Sequence, residues 1–503
     1  MPQTIRIHPG DNVAVALADL PAGAAVEIPA VAPVAAAGPV PRGHKVALRS
    51  IRAGELVLKY GYPIGKASRD IAPGEHVHSH NVVSHLGADF AGSAFAGPHD
   101  LPKLPLPPRR TFRGYRRKDG RVGIRNEVWI VNTVGCVNQA SEKIARAAND
   151  RYAGYKGVDG VFAFPHPFGC SQLGDDLLYT QKVLAGLIRH PNAAAVLILG
   201  LGCENNQMKL LLEQVGKVDA ERVRYFNAQD VADEIESGIS AAADLVEYAS
   251  QFKREEIDAR ELILGMKCGG SDGLSGITAN PLVGRVADRL TAVGGTTLLT
   301  EVPEMFGAEQ VLLDRCTTAD TFDGTVKLVN AFRDYFRRYN EPIDENPSPG
   351  NKDGGITTLA EKSLGCVQKA GGAPIVDVLP YGVQARPGLG GVALVNAPGN
   401  DGVSSTAMTV AGAHIILFTT GRGTPLGLPI PTVKVASNSA LFARKPSWID
   451  FNAGVLVDGG KTPDEAADDL FGFCLDVASG EKHTRNEING NREIAIWKDG
   501  VTL

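Results

Sequence analysis

The stretch GEHVHSHNV, residues 74–82, sets His76, His78 and His80 at every second position and holds three of the chain's eleven histidines. In a strand this spacing projects all three imidazoles from one face. Neutral imidazole is the commonest side-chain ligand for transition metals, and two or three on one face can share an ion. A solvated polar strand face accounts for the same pattern. The third histidine and the Asn81 that follows bring the two readings level.

Other chemistry-bearing residues cluster in turns. FPHPFGCSQLGDD supplies His166, Cys170, Gln172, Asp175 and Asp176 within one turn and helix start. Capping explains the aspartates and packing explains Cys170, although acidic groups there also attract a cation. Cys136 in NTVGCVN, Cys203 in GLGCENN and Cys268 in MKCGGSDG stand, like Cys170, directly after a buried apolar run. A buried cysteine is usually a small hydrophobe. Four such coincidences weaken that reading and leave soft ligation of iron open, with an iron–sulfur cluster ranked lower because the spacings match no ferredoxin pattern.

GGSDG, with Ser271 and Asp272, resembles an anion nest at a helix start, and Asn280 follows in ITANP; a tight turn is the plainer explanation. Glu301 and Glu304 in TEVPEMFGAEQ are close enough to be acid and base partners or metal ligands. Lys352, Lys362 and Lys369 come from NKDGGITTLAEKSLGCVQKAG. Arg422, between two glycines in TTGRGTP, fits bidentate recognition of a substrate carboxylate as well as it fits a solvated loop charge.

Three kinds of segment must position these residues. Residues 1–85 read as short strands (IRIH, VAVAL, AVEI, KVALRSI, LVLKY, HVHSHNV) between PAG, PRG, RAG and APG turns, a small all-β domain. Residues 86–111 are rich in Gly, Ala and Pro without periodicity and read as a linker stiffened by prolines. From 112 onward, apolar runs of strand length alternate with Gly-rich turns and helical stretches such as QDVADEIESGISAAADLVEYASQF. That texture predicts a mostly parallel, Rossmann-like α/β sheet covered on both faces, as one region or as halves 112–255 and 256–503. In such sheets the ligand crevice lies beyond the carboxyl ends of the strands, where the residue-rich turns fall.

Composition narrows the classes. The 503 residues exceed one compact core, and 44 per cent hydrophobic with 21 per cent charged residues is ordinary for a globular protein. A net charge of −5 with no long basic run gives no surface for nucleic acid. The amino terminus lacks a signal-peptide pattern, and AAAVLILGLG is about half of what a membrane span needs. Seven cysteines with no C-x-x-C pair point to free thiols in a reducing cytoplasm. Phosphate-loop, nucleophile-elbow and zinc-helix motifs are all missing, which counts against nucleotide, esterase and zinc-protease chemistry.

Taken together, DNVAVALADL, RGHKVAL, KYGYPIGKA and IAPGEHVHSHN resemble the SAF-type β domain of the altronate/galactarate dehydratase family. The rest resembles the family's large domain through VGIRNEVWIVNTVGCVN, GCSQLGDD, GLGCENNQ, CGGSDGLSGITANP, TEVPEMFGAEQ, ENPSPGNKDGGITTLAEKSLGCVQKAG, APGND, FTTGRGTP and KDGVTL. Within the family, GHKVAL…KYGYPIG, ENPSPGNK and the chain length are nearer to enzymes of altronate than of galactarate. The resemblance implies a hydro-lyase converting D-altronate to 2-dehydro-3-deoxy-D-gluconate in hexuronate catabolism, with a divalent metal, iron(II) before manganese. Galactarate or another sugar acid, and sulfolactate as a sulfo-lyase, are the competing substrates. An inactive sugar-acid-binding protein is the competing class, because fold does not fix function.

On that reading the β domain folds over the crevice, with His76, His78 and His80 binding or bordering the metal and His44 and Lys45 contributing from the next strand. Cys136, Cys170, Cys203 and Cys268 are the alternative ligands. Arg422 clamps the substrate carboxylate, with Ser271, Asp272, Asn280 and Lys362 around the substrate. His166, Glu301 and Glu304 complete the acid–base candidates. The expected partner is a small sugar acid, with neither nucleic acid nor membrane, and a homodimer is the expected assembly on symmetry grounds.

Overall fold

The computed structural model describes residues 3–29, 31–87, 94–97, 101–152, 154–217 and 219–503. The expected fold class is the one observed. Short strands fill the first 85 residues, among them Val13–Ala16, Lys45–Ala47, Leu56–Lys59, Tyr62–Ala67 and His76–Val77. They pair antiparallel, with Val15 opposite Lys45 and Val46 opposite His76. Part of the expected linker, 88–93 and 98–100, lies outside the described residues.

Two parallel sheets follow. The smaller has the order Gly160–Ala163, Glu127–Asn132, Ala193–Gly200, Val223–Asn227. All eight residues of Ala193–Gly200 are buried, as a continuous apolar run in a doubly covered strand requires. The larger sheet has seven strands, ordered Ile375–Leu379, Gly391–Val395, Thr296–Leu299, Ile263–Cys268, Ile415–Thr420, Thr432–Ala436, Phe451–Asn452. Its chain starts at the central Ile263–Cys268, moves outward on one side, then returns to build the other. The order therefore reverses at the carboxyl end of Ile263–Cys268, between the turns that carry Glu301 and Arg422.

The β domain is welded to this edge. Its core residues Val13, Ala47, Ile51, Val57, Ile64 and Val77 form one apolar cluster with Leu282, Leu359 and Leu364 of the large sheet's helices. The Thr358 hydroxyl, which also caps helix Leu359–Cys366, bonds the Ile64 carbonyl. At the rim two turns of the large domain are joined backbone to backbone, the Gly273 N–H donating to Gly354 O at 2.7 Å, and the Gly43 turn of the β domain packs against both. A Cβ on Gly273, or on Gly355 at φ 103°, would collide with the Gly43 carbonyl. Glycine at these turns is needed for close approach, and that approach carries His44 to the crevice.

Candidate functional site

The histidine stretch is only half a strand. His76–Val77 pairs with Lys45–Val46, after which the chain turns. Asn81 fixes that turn: its Oδ1 accepts from His78 N–H at 2.9 Å and its Nδ2 donates to His76 O at 2.9 Å. Strand alternation therefore does not place His80, which lies in the turn, exposed, with its ring 5.3 Å from that of His76. His44 joins from the neighbouring strand, its ring centroid 5.1 Å from His76 and 4.9 Å from His78.

Hydrogen bonds set the tautomers. His44 Nε2 lies 3.2 Å from the Asp353 carbonyl, which can only accept, so Nε2 carries the proton. Its Nδ1 then accepts from His76 Nε2–H at 3.0 Å. This leaves His76 Nδ1 with a lone pair and no hydrogen bond among the described residues. His78 Nδ1 is held by the Thr357 hydroxyl at 3.0 Å. Burial, reinforced by neighbouring imidazoles and Lys45, takes His76 and His78 down to about 4. Burial also lowers His44. Neutral imidazoles with lone pairs to offer fit a borderline divalent cation such as iron(II) or manganese.

Beside them lies a buried ion triad. Glu361, on helix Leu359–Cys366, accepts from Lys45 Nζ at 2.9 Å and from Lys59 Nζ at 2.8 Å. All three are at most 2 % exposed in their side chains. Burial alone would raise the Glu361 carboxyl, but the two ammonium groups take it down to about 2. Burial brings Lys45 down to about 8, against the pull of Glu361. Lys59 is raised, because Glu361 outweighs the cost of its burial. Lys45 also donates to Gly355 O at 2.8 Å. The crevice, a narrow one, runs from Lys59, Tyr60 and Glu361 to Cys268, Ser271 and Lys362 at the strand ends.

The far wall holds a second group. One ligand atom each from Cys268, Glu301, Glu304 and Cys366 lies within 4.8 Å of the others. Glu301, in the left-handed region at φ 65°, receives the ammonium of Lys267 and, at 2.9 Å, that of Lys369. Glu304 receives Lys362 at 3.0 Å, which holds its carboxyl below the usual range against burial. Lys369 Nζ also reaches Cys366 Sγ at 2.8 Å and Cys268 Sγ at 3.1 Å. Lys267 pairs with Asp401 at 2.9 Å. Three ammonium groups, of Lys267, Lys362 and Lys369, thus face three carboxylates, of Glu301, Glu304 and Asp401. Its hydrogen bond with Cys268, with burial, raises the Cys366 thiol well above its ordinary value. The geometry converges as a metal site would, while a cation there would add charge beside carboxylates that lysine ammonium groups already match.

The other sequence candidates divide. Ser271 and Lys362 line the crevice, and Arg422 is exposed at its rim, its backbone N–H on Gly270 O at 2.9 Å. Asp272 accepts from Ser275, Ser437 and Asn438 at 2.8–3.1 Å, so it braces the GGSDG turn. The Asn280 amide joins Gly365 O and the Thr419 hydroxyl, and it is floor. His166 is not in the crevice. Buried in the smaller sheet's strand-end turns, it bonds Asn132 O at 2.9 Å and Phe168 N at 3.2 Å. Cys136, Cys170 and Cys203 are exposed in the same region, apart from the buried Cys268.

Lys59, Tyr60, Glu361, Lys267, Cys366 and Asp401 were not singled out from the sequence. Lysines inside the apolar runs LVLKY and LILGMKC were the available signal, because a lysine in a buried strand must find a carboxylate.

Comparison with known proteins matches this architecture from end to end. Residues 2–85 match the altronate/galactarate dehydratase SAF domain, 114–250 the D-galactarate dehydratase/altronate hydrolase second domain, and 259–502 the D-galactarate/altronate dehydratase C-terminal domain. The chain is 50 % identical over 503 residues to altronate dehydratase of Escherichia coli (strain K12), covering 100 % of both chains. Identity to altronate dehydratase of Bacillus subtilis (strain 168) is 46 % over 507 residues, again covering 100 % of both. Galactarate dehydratase (L-threo-forming) of Escherichia coli (strain K12) is 34 % identical over 98 % of this chain and 96 % of its own. With all three domains matched in order and relatives aligned over its full length, the chain belongs to the D-galactarate/altronate dehydratase family.

Proposed function

We propose that this protein is a metal-dependent hydro-lyase that removes water from D-altronate to give 2-dehydro-3-deoxy-D-gluconate. The observation that carries the site is the cluster of His44, His76 and His78 beside Lys45, which the β domain sets against Asp353, Thr357 and Glu361 of the large domain. The choice of altronate follows the names of the two relatives aligned over the whole chain.

The reaction takes the proton from C2, next to a carboxylate, and expels the hydroxyl on C3. His76 and His78, with His80 at the edge, would hold iron(II) or manganese. Held there, it would supply positive charge against the negative charge that develops beside the substrate carboxylate. Lys45 is the base: near pH 8 about half of it is uncharged, and catalytic bases work best with a pKa close to the working pH. Glu361 and Gly355 O hold its Nζ in place, and His44, bonded to His76 and the Asp353 carbonyl, precedes it in the chain. On the opposite side the Lys362 ammonium, kept charged by Glu304, donates to the departing hydroxyl. Arg422 at the rim takes the substrate carboxylate in two parallel hydrogen bonds.

A second reading puts the metal on Cys268, Glu301, Glu304 and Cys366, and their convergence within 4.8 Å favours it. The matching of those carboxylates by lysine ammonium groups weighs against it. Purified protein incubated with iron(II) and, separately, D-altronate, galactarate and sulfolactate tests the function. A 2-keto acid product formed fastest from D-altronate is expected. Preference for another acid would replace the substrate, and binding without any product would make this a sugar-acid-binding protein.

A further inference from the structure

The smaller sheet has a switch point of its own. Its first strand, Glu127–Asn132, lies between the second, Gly160–Ala163, and the third, Ala193–Gly200. Ligands of open parallel sheets bind beyond the strand ends where the order reverses. The three turns leaving these strands each carry one free, exposed cysteine, Cys136, Cys170 and Cys203.

The turns are laced together. Gly135 N–H donates to Phe168 O at 2.9 Å, and Asn206 N–H donates to Gly169 O at 2.9 Å. Ser171 N–H donates to Asn205 Oδ1 at 2.7 Å, and Asn206 Nδ2 to Thr133 O at 2.9 Å. A Cβ on Gly169, at φ 103°, would strike the Thr133 carbonyl, so these backbones touch. Each cysteine therefore stands within three residues of a bond to a neighbouring turn. Glu204, 2 % exposed, ties the third turn down through Leu201 N–H, Gly202 N–H and the Thr133 hydroxyl.

A second observation points to a bound group. Asn132 Oδ1, Gln172 Nε2 and Asn206 Oδ1, all in these turns or at their roots, are buried without a hydrogen-bond partner among the described residues. Unpaired buried polar atoms are rare, and each marks where an ion or a water belongs. The three sulfurs are not among the groups whose ligand atoms converge within 4.8 Å. A single ion cannot be gripped by all three without movement. A cluster, by contrast, spreads its irons apart and takes one thiolate on each.

We propose that Cys136, Cys170 and Cys203 hold a four-iron, four-sulfide cluster through three of its irons, leaving the fourth open to an oxygen ligand. Loading from a preformed cluster with small thiolate ligands exchanges three of those thiolates for the cysteine sulfurs. The three cysteine protons pass to the released thiolates, and no electron is transferred. This site lies on a different sheet from the dehydratase crevice and stands or falls apart from it.

The test is anaerobic loading of the full chain with a preformed cluster ligated by 2-mercaptoethanol, followed by desalting and assay of bound iron, acid-labile sulfide and visible absorption. The wild-type chain is expected to retain iron and sulfide in equal amounts with a broad visible band. Cys136→Ser, Cys170→Ser and Cys203→Ser are each expected to lower retained sulfide at least about tenfold, the low end of what weakening a metal site's support costs. Circular dichroism of these variants should match wild type, because the side chains are exposed. Failure of the wild-type chain to retain sulfide would overturn the proposal, as would serine variants that retain it equally. Retention of iron without sulfide, unchanged in the three variants, would also overturn it.

Discussion

The two parallel sheets end in turns built from opposite materials. At the larger sheet's switch point the strand ends are roofed by a β domain, and the charges there are buried and paired across domains. At the smaller sheet's switch point the turns are exposed, free of ion pairs to the β domain among the described residues, and supplied with thiols. The first edge is a preorganised electrostatic wall in which each charge depends on a partner from a distant segment. The second is a set of soft ligands on laced turns, whose sulfurs take only weak side-chain contacts, from Gln229 Nε2 to Cys203 at 3.5 Å and from the Ser171 hydroxyl to Cys170 at 3.9 Å. Removing a side chain should therefore destabilise the fold at the first edge and leave it intact at the second.

The largest contrast comes from Glu361. Glu361→Gln leaves Lys45 and Lys59 buried against a neutral amide, and breaking a buried ion pair costs about 3–5 kcal/mol. Urea unfolding should show that loss, whereas Cys170→Ser should stay within about 0.5 kcal/mol of wild type, as exposed substitutions do. Equal effects would erase the distinction between the edges. Lys45→Met should next lower kcat by about 10²–10⁴-fold with the substrate still bound, the usual worth of a positioned base. In the wild-type enzyme the rate should climb as pH rises through about 8, where Lys45 loses its proton. A rate flat across that range would move the base elsewhere.

The histidines give a smaller, pH-dependent effect. His76 and His78 protonate near 4 in the folded chain but near 6.5 when unfolded. Between those values the unfolded chain binds more protons, so this part of the stability is complete above 6.5 and falls as pH drops toward 4. Thermal unfolding of wild type against His78→Gln, followed across that window, should show the variant losing less on acidification. Smallest is Arg422→Lys, which keeps the charge but not the planar fork and should raise KM by about tenfold.

Much of this is legible in the sequence. Apolar runs followed by Gly-rich turns marked the strand ends, but the strand order that makes two of those ends switch points was not legible, because it is set by pairing between distant segments. The rim glycines were visible as turns, and their second role, close approach to Gly43, was not. The histidine alternation was legible only as far as Val77, since Asn81 turns the chain before His80. The Lys45–Glu361 and Lys59–Glu361 pairs join residues 316 and 302 positions apart, a relation that no local pattern encodes. His166 shows the converse. Its polar turn looked like chemistry, and it is a buried brace whose two ring nitrogens are taken by backbone.

The most direct test of the account is manganese titration, followed by electron paramagnetic resonance, of wild type, His76→Ala with His78→Ala, and Cys366→Ala with Glu304→Gln. D-Altronate turnover is read on the same samples. The account predicts that the histidine pair loses both the bound-manganese signal and turnover, while the thiol–carboxylate pair still binds manganese with wild-type stoichiometry. Full manganese binding by the histidine variant, or its loss only in the thiol–carboxylate variant, would contradict it.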